Sequence, residues 1–144
     1  LRTFSKWAGL AGLRIGYAVT TAEIADLMHR VRQPFNVNNL ALAGAIAALD
    51  DHAFIAESYD NNRRGMESIV AGLKRLGLEH IPSHGNFVTF RVGDAAKVNQ
   101  ALLRQGVIVR PIGGYGLPEH LRVTIGLEHE NVRFLEALEK ALAG

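Results

Sequence analysis

Cysteine is absent from this chain. A disulfide framework is therefore excluded, and an intracellular home is permitted without being required. Long hydrophobic runs are missing too, since no apolar stretch approaches the roughly 18 residues that would suggest a membrane span. A large excess of charge of one sign is also missing. The formal net charge is only +2, with lysine and arginine scattered, so nothing marks a nucleic-acid surface. The chain opens without methionine and lacks a signal peptide's charged-then-apolar start. Leu1-Arg2-Thr3-Phe4-Ser5 instead reads like the end of a strand whose beginning is missing, and a fragment of a longer protein is expected.

What is present belongs to an ordinary globular protein: 144 residues, 48% hydrophobic and 21% charged. That length suits one domain with a sizeable core or one piece of something larger. No internal repeat, low-complexity tract or disordered linker interrupts the chain.

The apolar spacing predicts alternating strands and helices. Leu13 to Val19 reads as a strand. Thr20 and Glu23 have capping-box spacing before a helix carrying Ile24, Leu27, Met28 and Val31, which Pro34 stops. Asn36, Asn38 and Asn39 precede an alanine-rich segment, Leu40 to Leu49, and capping its helix is their expected use. A longer helix follows Asp51 with Ile55, Tyr59, Met66, Ile69, Val70, Leu73 and Leu76 as its stripe, and Gly77 as its C-terminal cap. A distinct α/β pattern starts near Leu78. In it Val88, Phe90 and Val92 share one strand face, with Phe87, Thr89 and Arg91 on the other. Asp94 caps a helix through Arg104 that Gly106 closes. Strands Val107 to Val109 and Leu121 to Ile125 flank the loop Pro111 to Pro118, and a last helix carries Val132, Leu135, Leu138 and Leu142.

The most informative stretch is Thr3-Phe4-Ser5-Lys6-Trp7-Ala8-Gly9-Leu10-Ala11-Gly12-Leu13-Arg14-Ile15-Gly16-Tyr17. It gathers one amine, small hydroxyls and one guanidinium around a glycine-rich turn. Such an amine can bond a carbonyl carbon while the other groups hold an anion beside it. A Ser-Lys pair by itself reads as a surface lysine beside a glycine turn. The whole string resembles the pyridoxal-phosphate lysine motif of the class I/II aminotransferases: Ser-Lys, small residues and glycine, then Gly12-x-Arg14-x-Gly16. The resemblance implies that Lys6 bonds the cofactor and later shuttles a proton at the substrate Cα. It also implies that Ser5 and Arg14 bind the cofactor phosphate, with Thr3 a further candidate for the same cradle.

Downstream, Arg110 ends a short strand, and Arg122 lies in Leu121-Arg122-Val123-Thr124-Ile125-Gly126. Alternation sends Arg122 to the face opposite Leu121, Val123 and Ile125, where a charge needs a partner; a protein carboxylate would serve. Together with Gly106-Val107-Ile108-Val109-Arg110-Pro111, this segment resembles the C-terminal signature of the histidinol-phosphate aminotransferase family. In that family the second arginine, here Arg122, grips the carboxylate of glutamate or 2-oxoglutarate, or the phosphate of histidinol phosphate. The first, here Arg110, helps hold the phosphate.

The resemblance covers essentially the whole chain and implies an α/β fold. The chain looks like the C-terminal portion of a fold-type I pyridoxal-phosphate transferase, which implies 1–50 as the end of the large domain, 51–77 as a joining helix and 78–144 as the small domain. Cofactor groups on the pyridine nitrogen and over the ring are expected upstream, so the chain alone is not expected to catalyse. The full-length enzyme is expected to be a cytoplasmic homodimer of histidine biosynthesis acting on small molecules, with no nucleic-acid or membrane partner. Other readings are an aromatic or other amino-acid aminotransferase, a threonine-phosphate decarboxylase, or a non-catalytic interaction or regulatory domain on the same scaffold.

Other features carry less. His80 and His84 are four apart, but Pro82 and Gly85 argue against a helix that would align them on a metal. Gly113-Gly114-Tyr115-Gly116 lacks dinucleotide-binding spacing and reads as a mobile loop near the site, where Tyr115 is a candidate substrate contact. Tyr17 fits the core or a site wall equally well, and Trp7 replaces a smaller alanine common after the family's lysine.

Overall fold

The computed structural model describes all residues from Leu1 to Gly144. In chain order the elements begin with strand β1 (Arg2–Thr3), a 3-10 turn at Ala11–Leu13 and strand β2 (Gly16–Tyr17). Helices α1 (Ala22–Val31), α2 (Asn39–Asp50) and α3 (His52–Arg75) follow, then strands β3 (His80–Ile81) and β4 (Phe87–Arg91) and helix α4 (Ala95–Arg104). The chain ends with β5 (Arg110–Pro111), a 3-10 turn at Gly113–Tyr115, β6 (His120–Thr124) and α5 (Glu128–Ala143). These elements form two units, Leu1–Tyr59 and Asp60–Gly144, whose boundary falls inside α3. The helix expected after Asp51 is therefore one continuous helix shared by both.

In the first unit β1 pairs antiparallel with β2, Arg2 opposite Tyr17 and Thr3 opposite Gly16. The strand expected over Leu13 to Val19 shrinks to Gly16–Tyr17. Leu13 closes the 3-10 turn, and Arg14 adopts a left-handed backbone (φ 54°, ψ 51°) that no extended strand can hold. The small core joins Phe4 and Ile15 to Ala41 and Ala45 of α2. Small residues on that helix face permit the close approach, since a Cβ on Gly44 would lie 3.0 Å from Leu13 Cδ1. Asn38 caps α2, its Oδ1 accepting from Ala41 N at 2.8 Å.

The cap of α1 is Thr21, not Thr20: its Oγ1 accepts from Ile24 N at 3.5 Å. Starting one residue later puts Glu23 at the second helical position, near the positive end of the helix dipole, instead of in a capping box. The predicted apolar stripe exists, but Ile24, Leu27, Met28 and Val31 are exposed along α1.

The second unit is a four-stranded antiparallel sheet in the order β3-β4-β6-β5. Strand alternation divides β6 as expected, while in β4 Thr89 is buried on the face opposite Val88 and Phe90. Val88, Phe90, Leu121 and Val123 are buried in one cluster with Ile69 and Leu73 of α3, Leu102 of α4, and Phe134 and Leu138 of α5. Burying such side chains contributes about 1.5–3 kcal/mol each, which makes this cluster the main stabiliser of the unit.

Both predicted glycine caps close their helices by the same pattern. Gly77 (φ 71°) ends α3 with Leu78 N donating to Leu73 O and Gly77 N to Lys74 O. Gly106 (φ 74°) ends α4 with Val107 N donating to Leu102 O and Gly106 N to Leu103 O. These paired bonds satisfy carbonyls that a helix end leaves orphaned. At the other end of α4, Asp94 Oδ1 accepts from Lys97 N at 2.9 Å.

Three expectations need correction here. The strand expected at Val107 to Val109 pairs only at Arg110–Pro111, because the Val107 amide is committed to closing α4 and Val109 turns into the core. Tyr59 does not join the buried stripe of α3 and is 70% exposed. The helix is buried instead through Gly65, Ile69, Gly72 and Leu73. A Cβ at Gly65 would strike the Ile125 side chain, and one at Gly72 would meet Leu135. On α5, Val132 and Leu142 sit at the exposed margin, while Asn131, Phe134, Leu135, Ala137, Leu138 and Ala141 are buried. No single helix is long and apolar enough to cross a membrane.

Candidate active site

Lys6 stands on a turn whose shape follows from its neighbours. Phe4 is buried and packs against Trp7 (ring centroids 5.3 Å apart) and Tyr17 (6.0 Å), so its ring pins the turn from beneath. Trp7 is thus accommodated by packing, and Tyr17 lies half-exposed at the edge of that cluster. Gly9 N donates to Lys6 O and Leu10 N to Phe4 O, both at 3.0 Å. Gly9 supplies the positive φ (66°) that the turn needs. Lys6 is left exposed beside a half-buried Ser5.

The β1–β2 pairing brings the other candidates to the same hairpin. Phe4 N donates to Ile15 O at 3.2 Å, which ties the segment leading into Lys6 to the residue after Arg14. Thr3 Oγ1 accepts from Ser5 N at 3.1 Å and keeps its own proton for another acceptor. The Arg14 guanidinium is exposed and donates to Ala11 O at 2.8 Å. Neither Lys6 nor Arg14 forms an ion pair with a carboxylate of the chain. An amine with hydroxyls and a guanidinium, none neutralised, suits a ligand that offers both a carbonyl carbon and an anion.

Gly16 is required for this hairpin by contact. A Cβ there would lie 2.6 Å from the Arg2 carbonyl oxygen, and backbone cannot step aside. Gly16→Ala is expected to cost about 1–3 kcal/mol, as other overpacking does. Thermal denaturation of the purified variant checks this; an unchanged melting temperature would show that the strands can separate freely.

The downstream arginines meet in the second unit. Arg110 and Arg122 are direct cross-strand partners on β5 and β6, so their side chains leave the same face. Like charges placed so oppose folding. No protein carboxylate relieves them. The Arg122 Cζ instead lies 4.6 Å from the centroid of the Phe87 ring. The Arg110 Cζ lies 6.0 Å from the Tyr115 ring, with Nη2 3.5 Å from the Tyr115 hydroxyl. Arg91 provides the contrast. It bonds Glu119 at 3.0 Å and lies 3.7 Å from Glu79, and the Glu119 hydrogen bond, then the two carboxylate charges, hold its guanidinium above the ordinary arginine range. On this sheet Arg91 is neutralised, and the cross-strand pair Arg110 and Arg122 is not.

The carboxylate partner considered for Arg122 is therefore replaced by an aromatic ring. Phe87 is the site-lining residue that sequence reasoning did not single out, although alternation already placed it on the face opposite the core. The register that sets Arg122 against Thr89, and so beside Phe87, needed the strand pairing. Tyr115 contacts an arginine. His80 lies in β3 opposite Phe90, and His84 lies outside any helix.

A family model described as aminotransferase class I and II matches residues 1–138. Histidinol-phosphate aminotransferase 1 of Dechloromonas aromatica (strain RCB) is 79% identical over 141 residues, covering 98% of this chain and 39% of that protein. The crystal structure of the histidinol-phosphate aminotransferase from Clostridium acetobutylicum matches with TM-score 0.91 and 28% identity, over 97% of this chain and 44% of that one. The Sinorhizobium meliloti histidinol-phosphate aminotransferase, solved in complex with pyridoxal-5'-phosphate, matches with TM-score 0.88 and 30% identity, over 98% and 40%. The chain thus spans about two fifths of the length of the curated relatives it matches.

Proposed function

The chain belongs to the class I and II aminotransferases, and from that premise we propose that it forms part of a pyridoxal-phosphate-dependent histidinol-phosphate aminotransferase. Transfer of an amino group between glutamate and imidazole-acetol phosphate, yielding 2-oxoglutarate and histidinol phosphate, is the reaction of the full-length enzyme. Residues 1–50 serve as the end of its large domain and 78–144 as its small domain, joined by the helix between. A cytoplasmic homodimer is the form in which we expect it to work.

When bound, pyridoxal phosphate supplies a reactive aldehyde and an electron sink for chemistry at the substrate Cα. The residues of the hairpin fit it. Lys6 would be the residue that holds the group covalently through its aldehyde, with loss of water, and its freed amine would hold and move the proton at the substrate Cα. Arg14 and Ser5 hold the phosphate, with Thr3 adding a hydroxyl donor; the Arg14 fork stays charged and can donate twice to one phosphate. Arg122 takes the anionic end of either substrate, and Arg110 assists when that end is a phosphate. Fixing the anion lets one site orient two substrates whose remaining parts differ.

One observation carries the substrate reading: two cross-strand guanidiniums without a carboxylate, in a unit where Arg91 has two. Such a pair is complete only with an external anion, and a phosphate dianion matches two positive charges better than a single carboxylate does. Turnover by the full-length enzyme should therefore favour histidinol phosphate over phenylalanine, with 2-oxoglutarate as acceptor, by at least about a hundredfold in kcat/KM. Equal or better turnover of phenylalanine would favour an aromatic aminotransferase instead.

A further inference from the structure

Arg122 has no carboxylate to hold it, so something else must fix its guanidinium. The geometry points to Phe87 as a positioning residue that orients Arg122 for anions while leaving its charge unspent. This assignment rests on the reading of Arg122 as the anion-binding residue.

A guanidinium 4.6 Å from a ring centroid is held by the negative face of the π-system and by contact. The ring accepts no conventional hydrogen bond, so the guanidinium keeps its N–H donors for a ligand. A carboxylate there would also orient the arginine, but it would neutralise the charge and compete with the substrate anion. That is the situation of Arg91. Phe87 therefore performs a task that an acidic residue cannot.

The backbone that carries the ring is tied down on both sides. Gly85 O accepts from Asn62 Nδ2 at 3.3 Å, which ties this turn to α3. Asn86 O accepts from Ile125 N at 2.8 Å, which fixes the strand end from the other side. Tyr115 offers Arg110 a looser counterpart, with the cation 6.0 Å from its ring.

The test uses the full-length enzyme carrying Phe87→Leu, Phe87→Met, Phe87→Tyr, Arg122→Ala, or Phe87→Leu with Arg122→Ala. Binding of glutarate, an unreactive dicarboxylate, is read by calorimetry, and KM and kcat for glutamate are measured alongside. Phe87→Leu and Phe87→Met, which fill space but lack a π-face, should each weaken glutarate binding about tenfold. KM for glutamate should rise by a similar factor, with kcat changed less than about twofold. Phe87→Tyr should restore binding to within about twofold of the parent, since it restores the ring. In the Arg122→Ala background Phe87→Leu should add almost nothing, because the effect passes through the arginine.

If Phe87→Leu and Phe87→Met bind glutarate normally while Arg122→Ala does not, the positioning role is wrong and the anion site stands. An equal loss from Phe87→Leu with and without Arg122 would mean that the ring serves only the fold, and would overturn the proposal. Normal binding by Arg122→Ala would remove the anion site itself, and the role of Phe87 with it.

Discussion

Arg122→Ala in the full-length enzyme is expected to lower kcat/KM for histidinol phosphate and for glutamate together, by on the order of a hundredfold. Loss in both half-reactions is the informative part. A residue that recognised only the imidazole end, or only the phosphate, would harm one substrate and spare the other. Arg110→Ala should show that asymmetry, weakening the phosphorylated substrate more than glutamate. Arg122→Lys should recover only part of the loss, because an ammonium keeps the charge but not the planar fork. Steady-state kinetics with each substrate varied separately checks all of this. Wild-type kinetics for glutamate in Arg122→Ala would show that the unneutralised pair on β5 and β6 has another purpose.

Lys6→Ala should have the largest effect of all, a fall in turnover of about a thousandfold or more, since both the covalent link to the cofactor and the proton carrier are lost. Lys6→Arg should fail equally, as its guanidinium does not deprotonate. Stability should barely change in either variant. Lys6 is exposed and its Nζ takes part in no hydrogen bond or ion pair, so the thermal midpoint should stay within a degree or two of the parent. Turnover and differential scanning calorimetry on the same preparations separate chemistry from folding.

Local chemistry made much of this fold legible. Asp94 and the glycines at 77 and 106 announce helix ends through rules that involve only a few neighbouring residues, and all three act as read. Alternation in β6 depends only on strand geometry, so its buried face followed from the spacing, whereas in β4 Thr89 is buried on the opposite face as well. What failed depended on distant partners. The Val107–Val109 run has strand composition, but its first amide is already used by α4. Arg14 breaks an apparently continuous strand through a left-handed backbone that residue type does not reveal. Gly65 and Gly72 look like weak points in an apolar stripe, yet they are where α3 comes closest to Ile125 and Leu135.

The candidate site divides the same way. Lys6, Ser5 and Arg14 lie within ten residues of one another, so a contiguous string could carry the resemblance. The facing of Arg110 and Arg122 depends on the register of β5 on β6. The contact of Arg122 with Phe87 crosses from β6 to β4. Pairing registers of this kind are set by the turns and the core, not by the residues that use them.

The most direct measurement is borohydride reduction of the full-length enzyme after reconstitution with pyridoxal phosphate, followed by proteolysis and mass spectrometry. The expected result is a single phosphopyridoxyl label on the peptide containing Lys6, with loss of the yellow absorbance. A label on a different lysine, or no stable label at all, would contradict the assignment of Lys6 as the residue that holds the cofactor.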